Sequence, residues 1–253
     1  MPHPLLPEVR AALAGAANAR EPTTDTTFNK PGDEWVSYGL RAPVYYAVVR
    51  EFRKRIAALP LDERFDLAAQ LLAAHIGELG HAGIYVLAQS ARDIEPKHFP
   101  ALDRMADDFR GWSHVDDFCI TVLQTVLERH PDALLKQLQR WSRSPNRWKR
   151  RTSVVAFTRK VGESALYTDF VLSLCDRLAF DPEDLVQKGA GWALKDNLRG
   201  APDRVVAFVK ELRRRGAPAT VTLYAIRDLK GAARDEVRAV RPERRGGRGL
   251  GEH

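Results

Sequence analysis

The sequence predicts an all-α protein, organised as an α-solenoid of stacked helix pairs around a concave basic groove. Three observations carry this. Apolar residues recur at helical spacing within segments of about 12–18 residues. Prolines open many of these segments, and prolines and glycines separate them. The β-branched alternation that marks strands is scarce. Segments joined by short turns pair antiparallel, and pairs of about 35–45 residues match the period of HEAT or armadillo repeats. A globular all-α domain is the other architecture this pattern allows.

In chain order, residues 6–17 form a first helix. Residues 20–39 hold Pro22, Pro31, Gly32 and several threonines and read as a mobile connector. Residues 43–59 start at Pro43 and place Val44, Val48, Phe52 and Ile56 on one face, and Pro60 stops them. Residues 61–75 repeat the pattern with Phe65, Leu67, Leu71 and Leu72. Further helices are predicted over 76–91, 98–109, 113–130, 131–142, 145–162, 165–179, 182–198, 202–215 and 218–237. The domains expected are therefore a helix and connector over 1–37, a repeat domain over 38–237, and a disordered basic tail over 238–253, rich in Gly and Arg.

At 253 residues, 44% hydrophobic and 29% charged, the chain suits a soluble protein with a proper core. No apolar run nears the roughly 20 residues a membrane helix needs. The start, Met1 to Pro7, has neither a basic segment nor an apolar core of a signal peptide. Cys119 and Cys175 lie far apart, outside any CxxC, and read as small core residues in a reduced compartment.

A net charge of +7 favours a polyanionic partner. The excess is local. Between Arg140 and Lys160 there are eight Lys and Arg and no Asp or Glu. Within that run, Ser144 is the expected N-cap and Pro145 the first residue of a helix. Arg147, Lys149, Arg150 and Arg151 then crowd its first turns, where the helix dipole disfavours cations. Together with Trp148, such an arrangement makes sense if it faces phosphates. A solvated basic face is the bland reading.

Two further stretches stand out. In Gly111–Phe118, Trp112 and Asp116 are four apart and share a helix face, an indole beside a carboxylate. Ser113 and Asp116 also read as an S-x-x-D capping box, which would explain Asp116 structurally. In residues 181–195, Asp181 is the expected cap and Pro182 the first residue. Gly189 and Gly191 lie inside the helix, each costing about 1 kcal/mol relative to Ala unless a bulky neighbour must come close. Lys188 and Trp192 stand one turn apart there.

Taken together, the motifs W-x-x-V-D (Trp112 to Asp116), W-x-x-R (Trp148 to Arg151) and Q-K-x-x-G-W-x-L (Gln187 to Leu194) resemble those of the bacterial DNA alkylation repair glycosylases of the AlkD type, a HEAT-repeat family. The likeness spans roughly residues 38–215. It implies that Asp116 is the catalytic carboxylate, that Arg151 holds the backbone beside the lesion, and that Trp112 and Trp192 flank the deoxyribose. It implies excision of cationic N3- and N7-alkylpurines from duplex DNA, without base flipping. Arg147, Trp148, Lys149, Arg150 and Lys188 are the expected DNA-binding residues. Asp117 departs from the pattern by doubling the acid.

The chemistry needs no cofactor and no metal. Bond cleavage builds oxocarbenium character on the sugar, and a base that is already cationic leaves neutral without a general acid. An anion near C1′ and aromatic faces then suffice. The expected protein is a cytoplasmic monomer in base excision repair, nucleoid-associated when bound to DNA, with no membrane partner. The alternatives are a non-catalytic HEAT-repeat binder of bent or branched DNA, and a HEAT scaffold for proteins. The former would typically lack the Asp. The latter would want an apolar or acidic groove.

Overall fold

The computed structural model describes residues 1–24 and 35–243, whose regular structure is almost wholly α-helical. The chain divides into two compact units, 1–156 and 157–253.

The first unit opens with α1 (Leu5–Ala16), which buries Leu5, Val9 and Leu13 at fourfold spacing. The connector is not featureless. Its described ends pair as β1 (Thr23–Thr24) and β2 (Val36–Ser37), antiparallel, with Thr23 opposite Ser37. Its middle lies outside the described residues. The backbone beyond β2 is tied down by the buried Glu78, whose carboxylate accepts from the N–H groups of Tyr38 (3.0 Å) and Leu40 (2.9 Å).

The single helix predicted over 43–59 is two, α2 (Ala42–Glu51) and α3 (Arg53–Ala57), broken at Phe52. Next come α4 (Leu61–Ala73) and α5 (Gly77–Ser90), turned into one another by His75 at φ +53°. Helix α5 is the unit's axis, buried nearly all round and packed against α1, α2, α4 and α7. Gly83 lets α4 approach, since a Cβ there would come within 2.8 Å of the Ala68 carbonyl oxygen. After α6 (Phe99–Ala106), the predicted helix 113–130 runs as α7 (Trp112–Phe118), a π-helical turn (Cys119–Leu123) and α8 (Gln124–Arg129). The unit closes with α9 (Pro131–Trp141) and α10 (Arg147–Val155).

The second unit is organised on α13 (Asp184–Gly200), against which α11 (Lys160–Glu163), α12 (Thr168–Leu178), α14 (Pro202–Arg214) and α15 (Ala219–Ala225) pack. Its buried Asn197 donates from Nδ2 to the carbonyls of Phe157 (3.2 Å) and Ala193 (2.8 Å) and accepts from the Thr168 hydroxyl (3.0 Å). Gly191 has the expected cause: a Cβ there would meet the Tyr224 side chain at 2.8 Å, so α15 could not sit so close. The helix predicted over 145–162 is interrupted because Arg159 takes φ +56°, and its N–H donates to the buried Asp196.

The first residues predicted as tail, 238–243, are placed by the fold. Helix α16 (Gly231–Ala239) includes Arg238, and the Glu243 N–H donates to the Arg214 carbonyl at 2.8 Å. Residues 244–253 lie outside those described. Cys119 and Cys175 are free and buried, and burial pushes both thiols up. No described helix is long and apolar enough to cross a membrane.

Candidate active site

Helix α7 is seated by Val115 and Phe118, both fully buried, with Phe109 just before it. Trp112 and Asp116, four residues apart, share the neighbouring flank of the helix. Trp112 remains 37% exposed, one of the few large exposed apolar side chains among the described residues. The predicted capping box is absent. Gly111 takes the N-cap place with extended backbone and no side-chain cap, because α7 begins one residue earlier than predicted. Gly111 is dictated by a neighbour, since a Cβ there would lie 2.6 Å from the Trp35 ring.

Relieved of capping, Asp116 pairs with Arg151. Its Oδ1 accepts from Arg151 Nη2 at 2.7 Å and from Nε at 3.1 Å. Helix α10 delivers Arg151 by burying Trp148, Thr152 and Val155 on the same unit's core. The side chains of Arg151 and Asp116 are only 6% and 15% exposed, so the pair is largely withdrawn from water. Removing one partner of such a pair strands the other and typically costs about 3–5 kcal/mol.

Asp117 turns the other way. Its Oδ2 accepts from the Tyr46 hydroxyl at 2.6 Å and faces His81 Nδ1 at 2.9 Å. Successive helical residues diverge by about 100°, so the doubled acid is two carboxylates with two sets of partners. Around Asp117 stands a cluster that sequence reasoning missed: Trp35, Tyr45, Tyr46, His81 and His114. Tyr45 stacks on His81 at 5.0 Å between centroids, and His114 meets His81 edge-on at 4.8 Å. Burial, then the charge of Asp117, pushes the Tyr45 hydroxyl up to about 12 and Tyr46 higher still. Burial, then His81, pushes His114 down to about 3, so it is the neutral imidazole that donates from Nε2 to the Gly77 carbonyl at 2.9 Å. A signal was present. Gly77, Gly80 and Gly83 recur at threes inside one apolar helix, and Cβ atoms at the first two would strike the rings of Trp35 and His114, each at 2.3 Å.

The basic run behaves otherwise than its sequence suggests. The helix starts at Arg147, later than predicted, capped by Asn146, whose Oδ1 accepts from the Trp148 N–H at 2.8 Å. Ser144 accepts from the Asn146 N–H instead. Lys149 is buried and pairs with Asp107 (2.8 Å) and Asp103 (3.1 Å), acids supplied by α6 and the turn after it. Burial would raise the Asp103 carboxyl, but hydrogen bonds from Trp141 and Lys149 hold it below the usual range. Arg150 donates to the carbonyls of Ser144 and Pro145. Trp148 is 6% exposed, with the half-buried Arg147 guanidinium 4.5 Å over its ring. A stretch free of acids in sequence is not free of them in space. In the second unit, Lys188 is exposed, 3.5 Å from Asp184, and Trp192 is half-buried on α13. Asp181 does not cap the helix end directly. It accepts from the Glu183 N–H at 3.0 Å, and α13 starts at Asp184.

Residues 9–229 match the family model described as DNA alkylation repair enzyme. The chain belongs to this family. Among solved structures it is similar to a predicted DNA alkylation repair enzyme from Enterococcus faecalis, with a TM-score of 0.68 and 16% identity over 89% of this chain and 97% of that one. That likeness is one of fold. No curated protein matches the chain. Family membership makes this a DNA repair protein and connects it with alkylation damage.

Proposed function

We propose that this protein is a DNA glycosylase that hydrolyses the N-glycosidic bond of cationic N3- and N7-alkylpurines in duplex DNA, without flipping the base. The observation that supports this most is the Asp116–Arg151 pair beside the exposed indole of Trp112. A carboxylate held by a guanidinium at the edge of the core, next to an open aromatic face, suits a cationic sugar at the transition state. The leaving base is neutral, so the reading needs an anion, an aromatic wall and a water, with no metal and no cofactor.

Asp116 is assigned the anion facing C1′, Trp112 the wall, and Arg151 both the alignment of Asp116 and contact with the adjoining phosphate. Trp192 is assigned the second indole on sequence grounds alone. Arg147 and Lys188 are retained as phosphate contacts; Trp148 is buried, and Lys149 and Arg150 are engaged by acids and backbone carbonyls. The HEAT-type solenoid with its concave basic groove and a monomeric, cytoplasmic state belong to the same proposal.

The test is release of 7-methylguanine from methylated duplex under single-turnover conditions. Asp116→Asn is expected to lower the rate by about 10²–10³-fold, the scale of losing one electrostatic stabiliser, while DNA affinity holds or improves. A variant that excises as fast as the parent overturns the assignment.

A further inference from the structure

Hydrolysis of a cationic nucleoside releases a proton, and the site described so far gives it no destination. The base departs neutral, so it takes none. Accepting a proton would deprive Asp116 of its ion pair with Arg151. The first turn of α7 offers another path. Ser113 is half-exposed and lies three residues before Asp116, on the same helix face. Its Oγ is 3.2 Å from His81 Nε2, and His81 Nδ1 is 2.9 Å from Asp117 Oδ2. A carboxylate can only accept here, so the neutral imidazole carries its hydrogen on Nδ1. Nε2 is then the acceptor for the Ser113 hydroxyl.

We propose that Ser113, His81 and Asp117 form a proton relay that takes up the proton of the attacking water. The inference rests on the glycosylase reading above. As the water oxygen bonds to C1′, the C1′–N bond breaks and its electron pair goes to the ring nitrogen, which neutralises the base. One water proton passes to Ser113 Oγ, whose own proton moves to His81 Nε2. Asp117 stabilises the imidazolium, as the third member of such a constellation does. Ser113 touches the water, and His81 and Asp117 act through it.

The surroundings hold His81 in place for this. Tyr45 stacks on its face, and Tyr46 donates to the same Asp117 oxygen. His114 and Trp35 meet it edge-on. Glu78, one turn earlier on α5, faces away to the Tyr38 and Leu40 amides. Asp117 is thus the carboxylate bonded to the ring, and His114 stays neutral. His81 is 5% exposed, so Ser113 is its route to a solvent-borne proton.

The experiment is the pH profile of single-turnover 7-methylguanine release from methylated duplex. The parent rate is expected to rise with pH, then level off. Ser113→Ala should lower the plateau by about 10²-fold, the lower end for general base catalysis, and remove the rising limb. Ser113→Thr, which keeps a hydroxyl, should retain the limb. His81→Gln should also abolish it. Should His81→Gln fail to fold, as judged by thermal melting, Ser113→Ala loses a single atom and carries the test alone. A Ser113→Ala protein with the parent's rate and limb overturns the relay. If Asp116→Asn is defective at the same time, the glycosylase reading survives that failure. A parent that releases no base overturns both.

Discussion

At the start of α10, Lys149 is enclosed by Asp103 and Asp107, Arg150 by two carbonyls, and Trp148 by the core. At the start of α7, Trp112 stands 37% exposed and Asp116 meets the Arg151 guanidinium at the edge of the core. Both stretches pair an indole with charge, and both drew attention in the sequence for that reason. They differ in who answers the charge. Lys149 and Arg150 are met by acids and carbonyls that hold the unit together. The α7 carboxylate is met by a side chain that leaves an aromatic face open beside it. Charge density along a chain therefore says less about a binding face than the partners that folding brings.

The sharpest way to break this contrast is to truncate the two indoles. Trp148→Ala should cost about 3–5 kcal/mol, as for a buried aromatic. Trp112→Ala should change stability by no more than about 0.5 kcal/mol, as for a surface site, yet slow base release. Urea denaturation beside an excision assay measures both. Equal stability losses would erase the distinction.

The next probe concerns the histidine packed under α7. Burial depresses His114 from 6.5 to about 3 in the folded protein. The unfolded chain therefore binds a proton that the folded one refuses, and stability falls as pH drops from about 6.5 towards about 3. Denaturation midpoints of the parent and His114→Gln across that range should converge towards the acid end. Parallel curves would show that His114 contributes nothing to the slope.

The smallest expected effect lies in the salt dependence of duplex binding. Arg147→Gln should reduce the slope of log affinity against log salt by about 0.9, one phosphate contact. Lys149→Gln should leave the slope alone and lower the melting temperature instead. A slope change for Lys149 and none for Arg147 would reverse the reading of α10.

Much of the fold was legible because it is local. Leu5, Val9 and Leu13 share a stripe, Pro131 and Pro202 open helices, and Gly191 marks a close approach. The cluster under α7 was not legible. Trp35, Tyr45, His81 and Asp117 come from four separate stretches of chain, and no periodicity connects them. Even the three expected caps were each misplaced by two residues. Ser113 and Ser144 are good capping residues, but Ser113 is bonded to His81 and Ser144 to the Asn146 amide.

By itself, the sequence determined that the chain is helical, which prolines open several of its helices, and that Trp112 and Asp116 share a side. These follow from the 3.6-residue turn and the chemistry of Pro and Gly, which act over a few residues. Which partner each charge meets was decided by tertiary structure alone: Arg151 for Asp116, His81 and Tyr46 for Asp117, Asp103 and Asp107 for Lys149. An ion pair depends on a separation of a few ångströms, and only the packing of helices distant in sequence sets that separation.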